Sequence, residues 1–443
     1  MSMHIGARWL ESDPVSQNAP TERLADNATL AELELTVADC LLTRAEDTLS
    51  GEVRHHAVLA TNRLAEWLIW NWWRLCHEPR GSGEQVPGWH EAHRMPAAGG
   101  GWLWPNVEFV SDGVRMWVSS KPTPAVAHQP LRYLSSDHAI IPLANFEGSI
   151  EDFITRVCER LANQGAVEAD LLQMWQELQA ERADAEFAAY RRFEALLGFD
   201  PDEAPEELMM ALHHDADLLG HNAMAELAAG SRNAVISASQ LQEWARSKGA
   251  ISSKQDRLRW AGQKFQIDYK VAAWRNGVTA ARKLRTQEHL GEAPIANRHL
   301  AEWFAVPEGL LSDGNQNTTL AYELDVERAQ SRVVLRSKWP VGRRFELARL
   351  IGDDLVQHTH EPLHIATAQN TYRQKLQRAF AAELLCPIEP LTELLKGDFT
   401  EDAIQGAANT FEVSPLMVTA QLFNNGVLQS GEWNGLDQGL AIA

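Results

Sequence analysis

Residues 343–353 read RRFELARLIGD and residues 378–387 read RAFAAELLCP, and these two stretches decide the fold of the carboxy-terminal third of the chain. The sequence predicts a helix over residues 344–355 and a second helix through residues 380–387. Two strand-like stretches precede them, at residues 319–322 and 332–335. This order predicts a domain that combines a short β-sheet with helices.

The same order and three sequence phrases resemble the ImmA/IrrE family of gluzincin-like metallopeptidases. The phrases are the two quoted above and FEVSPLMVTAQLFNNGVL at residues 411–428. In that family the first helix reads roughly FxLAHELGH and the second roughly ExxANxFAAELLMP. The resemblance covers about residues 278–428, a third of the chain, and implies a gluzincin-like domain there.

Zinc-dependent peptide hydrolysis in such a domain needs two histidines one helical turn apart, a glutamate as general base and a third zinc ligand from the next helix. Here Arg349 occupies the position of the first histidine, and Leu350 occupies the position of the glutamate. Asp353 stands at the second histidine, and Gln374 at the third ligand. The resemblance therefore implies a degenerate domain that keeps the fold without the catalysis and without a cofactor.

The replacement side chains are compatible with a cleft that is filled by the protein itself. Arg349 and Asp353 are one helical turn apart and can pair, and Gln374 can accept a hydrogen bond from the guanidinium. Two hypotheses fit this pattern, a structural plug and an anion-binding pocket. We favour the plug because ion pairs of this kind are commonly only structural.

Charge is distributed unevenly along the 443 residues. The chain has 45% apolar residues and a net charge of -20, which excludes wholesale disorder and a nucleic-acid partner for the whole surface. Residues 231–290 reverse the balance, with a net charge of +8 against -28 for the rest. The segment is therefore a candidate site for nucleic acid or an acidic partner. Its candidate residues are Lys254, Arg257, Arg259, Lys264, Lys270, Arg275, Arg282, Lys283 and Arg285. In the alternative, the segment packs against the acidic residues 151–217 of the same chain.

The domain organisation that we predict is α+β and predominantly helical. Residues 1–148 form a Trp-rich α+β region of unassigned family, with a helix over residues 53–74 and a β-hairpin around Asp112 and Gly113. An acidic helical region (149–230), the basic helical segment (231–290), the degenerate domain (291–430) and a flexible tail (431–443) follow. The tryptophans are either stacking platforms for bases or core residues, and core packing is the commoner role.

Two histidine clusters are fallback candidates for a metal site. His358, His360 and His364 lie in a stretch that also contains Pro362, which favours a solvated loop. His213, His214 and His221 have a spacing that permits a metal site without requiring one. The four cysteines show no metal or disulfide spacing. No stretch has the length and apolarity of a signal peptide or a membrane span, so we expect a cytoplasmic protein.

Residues 400–411 and 414–425 predict two short helices in a helix-turn-helix-like arrangement, with few basic residues for reading DNA. The hypothesis we favour is a non-catalytic regulatory or sensor protein of a prokaryote. Through the resemblance, its setting is a stress response, a mobile element, a toxin–antitoxin locus or phage defence, and its partner is a protein or a nucleic acid. One alternative is a DNA- or RNA-binding protein that uses residues 231–290, and another is a peptidase with a relocated metal site.

Overall fold

The computed structural model of the chain describes residues 2–11, 21–81, 88–125, 129–165, 170–229, 231, 235–312, 314, 318–327, 329–357 and 361–428. The fold is α+β, with about half of the residues in helices and several small antiparallel sheets. The chain divides into two units. The first comprises Met1–Met209 and Ala228–Asn233, and the second comprises Met210–Leu227 and Ala234–Ala443.

The described part of the first unit contains ten strands. They are β1 (Met3–Trp9), β2 (Leu30–Val37), β3 (Cys40–Leu41), β4 (Ala45–Asp47), β5 (Val53–Arg54), β6 (Ala57–Ala60), β7 (Val107–Ser111), β8 (Arg115–Ser120), β9 (Leu131–Tyr133) and β10 (His138–Pro142). One sheet has the order β1-β2-β3, with β6 also paired to β2. The other two have the orders β10-β8-β7 and β5-β4-β9. The named strands pair with one another in antiparallel orientation.

The helices of the first unit pack against the sheets that contain β2 and β8. They are α1 (Thr21–Ala28), α2 (Thr61–Trp70), α3 (Trp72–His77), α4 (Trp89–His93), a 3-10 helix (Met95–Ala98), α5 (Leu143–Asn163), α6 (Asp170–Ala183) and α7 (Ala185–Leu197). Helix α5 buries Phe146, Ile150 and Phe153 in the same core as Leu33 and Leu35 of β2. A domain boundary at residue 148, as the sequence suggested, would cut α5 and this core.

Local patterns predicted some of these elements and missed others. The hairpin around Asp112 and Gly113 is confirmed, because β7 and β8 pair on either side of that turn. The predicted helix over residues 53–74 is wrong at its start: residues 53–60 contribute β5 and β6, and the helix begins only at Thr61. The core role of the tryptophans is confirmed for Trp67, Trp72 and Trp73, each at most 7% exposed.

The second unit is mainly helical. Helices α8 (Glu206–Leu219) and α9 (His221–Ala228) lie at the transitions between the units. The helices that follow are α10 (Ala238–Lys248), α11 (Ala273–Gln287), α12 (Asn297–Trp303), a 3-10 helix (Glu308–Leu311), α13 (Pro340–Val356), α14 (Tyr372–Leu385), α15 (Ile388–Leu395), α16 (Glu401–Phe411) and α17 (Pro415–Asn424). The sheet contains β11 (Ala250–Ser253), β12 (Ala321–Glu327), β13 (Gln330–Val334) and β14 (Leu363–Ala366), in the antiparallel order β11-β13-β12-β14.

Small residues let α11, α13 and α14 approach one another closely. A Cβ on Gly277 of α11 would lie 2.5 Å from the carbonyl oxygen of Leu376 in α14. A Cβ on Gly352 of α13 would lie 2.5 Å from Cδ1 of Phe380. Since contacts of that length are not tolerated, any larger residue at either position would push the helices apart.

The second unit also joins segments that the sequence suggested were separate. Its described part contains β11 and α11 from the basic segment together with the elements of residues 291–428. The two short helices near the carboxy terminus are confirmed as α16 and α17, and the Ser414 hydroxyl caps α17 by accepting from the Met417 amide. Residues 431–443 lie outside the described residues. No helix in the described part of the chain has the length and apolarity needed to cross a membrane.

Candidate functional site

The candidate site lies where α13 and α14 pack beside β14. Helix α13 begins at Pro340, which suits a first helical turn because that turn needs no amide donor. Helix α14 begins after Thr371, whose Oγ1 accepts a hydrogen bond from the Gln374 amide at 3.2 Å. The side chains of Arg349, Asp353 and Gln374 are all buried at this junction. We call this junction the cleft.

Arg349 bonds to neutral oxygens. Its Nη2 donates to the carbonyl oxygen of Thr367 at 2.6 Å, and it also donates to the side-chain oxygens of Gln374 and Gln377. Desolvation, with added repulsion from Arg378, lowers the pKa of Arg349 to about 9. The guanidinium therefore remains largely protonated at neutral pH. Its bond to Thr367 holds the segment after β14 against α13. Its bond to Gln374 is the one that the sequence predicted.

Asp353 takes partners other than the one expected from helical spacing. Arg373 donates from Nε to Oδ1 at 2.9 Å and from Nη2 to Oδ2 at 2.5 Å. His364 donates from Nδ1 to Oδ2 at 2.9 Å. The predicted pair with Arg349 is therefore replaced by a bidentate pair with Arg373, whose flat guanidinium matches both carboxylate oxygens.

The ionisation of this group follows from its partners. Burial opposes the charge of Asp353, yet Arg373 and His364 outweigh it and hold the pKa of Asp353 well below its usual range. Burial likewise opposes the charge on His364, but the bond to Asp353 prevails and raises the pKa of His364. The pKa of Arg373 is raised for the same reason. The three groups stabilise one another in their charged forms.

Glu226 of α9 is a buried carboxyl group that the sequence did not suggest as part of the cleft. Its Oε2 accepts a hydrogen bond from the Thr371 hydroxyl at 2.6 Å. Burial raises the pKa of Glu226, and the charge of Arg373 only partly opposes this effect. Thr371 thus both caps α14 and ties α9 to it. A separation of 145 residues explains why no spacing pattern could reveal this contact.

A second buried ion pair lies next to His364 in the sheet. Glu323 of β12 is the register partner of His364 in β14. The Glu323 carboxylate accepts from Arg257 at 2.6 Å, and Arg257 also donates to Ser252 and Ser331. Burial raises the pKa of Glu323, but Arg257 and His364 outweigh it and the net shift is downward. Arg257, a nucleic-acid candidate, is consequently a core residue.

Other arginines of the second unit also bind main-chain carbonyl oxygens. Arg343 donates to Leu310 at 2.6 Å, and Arg344 donates to Ile295 at 2.6 Å. Arg285, another nucleic-acid candidate, donates to the carbonyl oxygens of Leu384, Gly291 and Ala293. Buried carbonyl groups need such donors because water cannot reach them. Arg349 acts in the same way, which agrees with the plug hypothesis.

Most of the remaining basic candidates have partners within the same unit. Arg259 pairs with Asp354 at 2.9 Å, Arg282 pairs with Glu383 at 2.7 Å, and Lys254 pairs with Asp325. The ammonium of Lys283 lies 4.7 Å from the centre of the Trp260 ring, and the Arg275 guanidinium lies 5.3 Å from that of Trp274. Lys264 and Lys270 are exposed. The acidic partners named above, together with Glu323, lie between residues 323 and 383 rather than in 151–217.

The donor chemistry of the cleft does not fit the zinc ion of the resembling family. Arginine offers no lone pair to a metal, and Leu350 is fully buried and cannot serve as a base. Asp353 already binds Arg373 and His364 through both oxygens. Among the described residues, no group of three or more His, Cys, Asp or Glu side chains could hold a metal ion.

The histidine clusters are only partly described. His358 and His360 lie outside the described residues. His364 is buried, and its Nδ1 is bonded to Asp353. In the other cluster, Nε2 of exposed His221, the first residue of α9, lies 3.3 Å from the carboxylate of Asp217 in α8. Neither arrangement, as far as it is described, brings three histidines together.

The cleft therefore contains residues that sequence patterns identified and others that they missed. Arg349, Asp353 and Gln374 came from the family motif, whereas Glu226, Thr371, Arg373 and Gln377 came only from the fold. Arg373 is adjacent to Gln374 in the chain, and no motif signals its role.

Comparison of the chain with models of protein families, with curated proteins and with solved structures finds no match.

Proposed function

We propose that this protein is a non-catalytic regulatory or sensor protein whose second unit is a degenerate ImmA/IrrE-like domain. The observation that supports the proposal is the set of bonds around Asp353. At the position where the resembling family has its second histidine, this carboxylate is bound by Arg373 and His364. A peptidase would need these groups to be free for a metal and a water molecule.

The proposed activity is recognition of a partner protein rather than cleavage. A domain that keeps its packing and loses its catalytic groups can retain a binding role, because binding surfaces do not depend on the reacting groups. By the resemblance alone, we place the protein in a prokaryotic stress response, a mobile element, a toxin–antitoxin locus or phage defence.

Nucleic-acid binding through residues 231–290 is the less favoured candidate. Phosphate binding needs several Lys and Arg side chains that can leave their present partners without cost. Arg257 and Arg285 are buried, and Arg259, Arg282 and Lys254 have acidic partners. Exposed Lys264, Lys270 and Arg275 supply too few contacts for strong non-specific binding.

The experiment is a pull-down of the tagged full-length chain from its native cell, divided into nuclease-treated and untreated halves. We expect a protein that co-purifies in both halves and that is recovered intact, without new cleavage products. Recovery of nucleic acid that is lost steeply as salt rises would favour the basic segment instead. Cleavage of the partner by the purified chain would contradict the proposal.

A further inference from the structure

A groove in the first unit has the features of a binding surface. It is a cavity of about 600 Å³, and its described lining comes from α2, α3, α6, α7 and the loop after α7. Its apolar lining is formed by Ile69, Trp70, Trp73, Met174, Leu178 and Phe187. A volume of this size is within the range of known ligand sites and can accept two or three side chains of a peptide.

Two aromatic side chains of this groove are unusually exposed. Trp70 is 56% exposed and Phe187 is 48% exposed, whereas neighbouring Trp67, Trp72 and Trp73 are at most 7% exposed. Leaving large aromatic surface in water is unfavourable by roughly 25 cal/mol per Å². Exposed aromatic residues beside a concave apolar surface are typical of interaction sites.

The groove is also acidic. Among its described lining residues, four carboxylates, those of Glu177, Glu181, Asp184 and Asp202, face a single guanidinium, that of Arg191. Arg191 is itself 5% exposed and already bonded to Glu181, Glu194 and Asp202. An excess of negative charge therefore remains at the rim, with the Asp202 side chain 80% exposed.

We propose that this groove binds a cationic amphipathic segment of a partner protein. Apolar side chains of the segment would cover Trp70 and Phe187, and its lysines or arginines would lie against the carboxylates of the rim. The charge of the rim selects such a segment over an acidic one, because like charges across an interface are costly. The aromatic faces add attraction for a cation. The groove is in the first unit, so this inference does not rest on the degenerate cleft.

The test uses the full-length chain and a defined probe, a fluorescently labelled synthetic peptide with leucines on one helical face and lysines on the other. The same peptide with glutamate in place of lysine is the comparison. We expect saturable binding of the lysine peptide that weakens with salt, at least tenfold weaker binding of the glutamate peptide, and quenching of tryptophan fluorescence. Equal affinity for the two peptides, or no binding of either, would overturn the proposal.

Three variants locate the binding. Trp70→Ala and Glu177→Lys alter exposed groove residues, and each should lower the affinity for the lysine peptide by about tenfold. Trp339→Ala is the matched control, because Trp339 is 74% exposed and belongs to the second unit. It should leave the affinity unchanged.

Far-UV circular dichroism of each variant confirms that it folds. Affinity that survives both groove variants would place the peptide elsewhere and overturn the proposal. Sedimentation of the chain without peptide measures whether the chain associates with itself. Self-association that Trp70→Ala abolishes would make a second copy the occupant, which would also overturn it.

Discussion

Arg349 is the residue whose surroundings say most about the cleft. It is 7% exposed, and it donates hydrogen bonds to a backbone carbonyl and to two glutamine side chains. Helical spacing suggested Asp353 as its partner, but spacing does not determine which of several arginines a carboxylate chooses. Arg373 reaches Asp353 from a different helix with both nitrogens aligned, and that geometry decides the pairing.

Arg349→Ala should destabilise the protein by about 2–3 kcal/mol, because it leaves the carbonyl of Thr367 and two buried glutamine oxygens without this donor. Arg298→Ala is the control at an exposed arginine and should change stability by no more than about 0.5 kcal/mol. Urea unfolding followed by circular dichroism measures both. Equal stability of the two variants would contradict the plug hypothesis.

The pair of His364 and Asp353 predicts a pH dependence of stability. Because the folded pKa of His364 is raised, its contribution is present below its unfolded pKa of about 6.5 and is lost as pH rises through the folded value. Because the pKa of Asp353 is lowered, its contribution is present above about pH 4 and is lost as pH falls. Arg373 and Glu323 also face this pair, and both remain charged in this range.

The variant His364→Asn measures how much the charge of His364 contributes to stability. The asparagine amide can replace the Nδ1 donor to Asp353 but cannot carry a charge. We expect the wild-type free energy of unfolding to exceed that of the variant near pH 5.5 and this advantage to shrink by about pH 8.5. Urea titrations of both proteins at the two pH values give the comparison. An advantage that does not change with pH would show that His364 is not charged in the fold.

At the scale of elements, the close packing of α13 and α14 positions the cleft. Gly352 meets the ring of Phe380, which is fully buried and cannot move away easily. Two bonds join the helices at this contact: Arg373 of α14 donates to Asp353 of α13, and Gln374 of α14 accepts from Arg349 of α13. A change in the helix separation would therefore alter these hydrogen-bond lengths.

Gly352→Ala should destabilise the protein by about 1–3 kcal/mol, because the new methyl group would lie 2.5 Å from Phe380 Cδ1. Gly406→Ala is the matched control, since Gly406 lies within α16 with nothing within 4 Å of its added Cβ. That control should stabilise by about 0.5–1 kcal/mol, the usual gain of alanine over glycine in a helix. Thermal unfolding distinguishes the two signs, and stabilisation by both substitutions would refute the packing argument.

Sequence patterns predicted elements where the signal is local. The turn at Asp112 and Gly113 and the two short helices near the carboxy terminus are confirmed, since each depends on residues that are close together in the sequence. The helix predicted from residue 53 was wrong at its start because Ala57–Ala60 pairs with β2, and β2 lies more than twenty residues away in the sequence. The cleft shows the same limit: its motif positions could be found, but Glu226 could not.

At the scale of the whole molecule, the charge reversal of residues 231–290 has an internal explanation. Three of its cations, Lys254, Arg259 and Arg282, pair with Asp325, Asp354 and Glu383 of the same unit. An uneven charge distribution along the sequence thus need not produce an uneven surface. The acidic groove of the first unit is the surface for which we propose a basic protein partner.

The zinc content of the full-length chain tests directly whether the cleft has lost its metal site. The purified protein is equilibrated with excess zinc, dialysed and analysed for metal, with a general peptidase assay on the same sample. Because Arg349, Leu350, Asp353 and Gln374 do not form a zinc site, we predict far less than one zinc ion per chain and no hydrolysis. About one tightly bound zinc ion per chain, accompanied by peptide cleavage, would contradict the account.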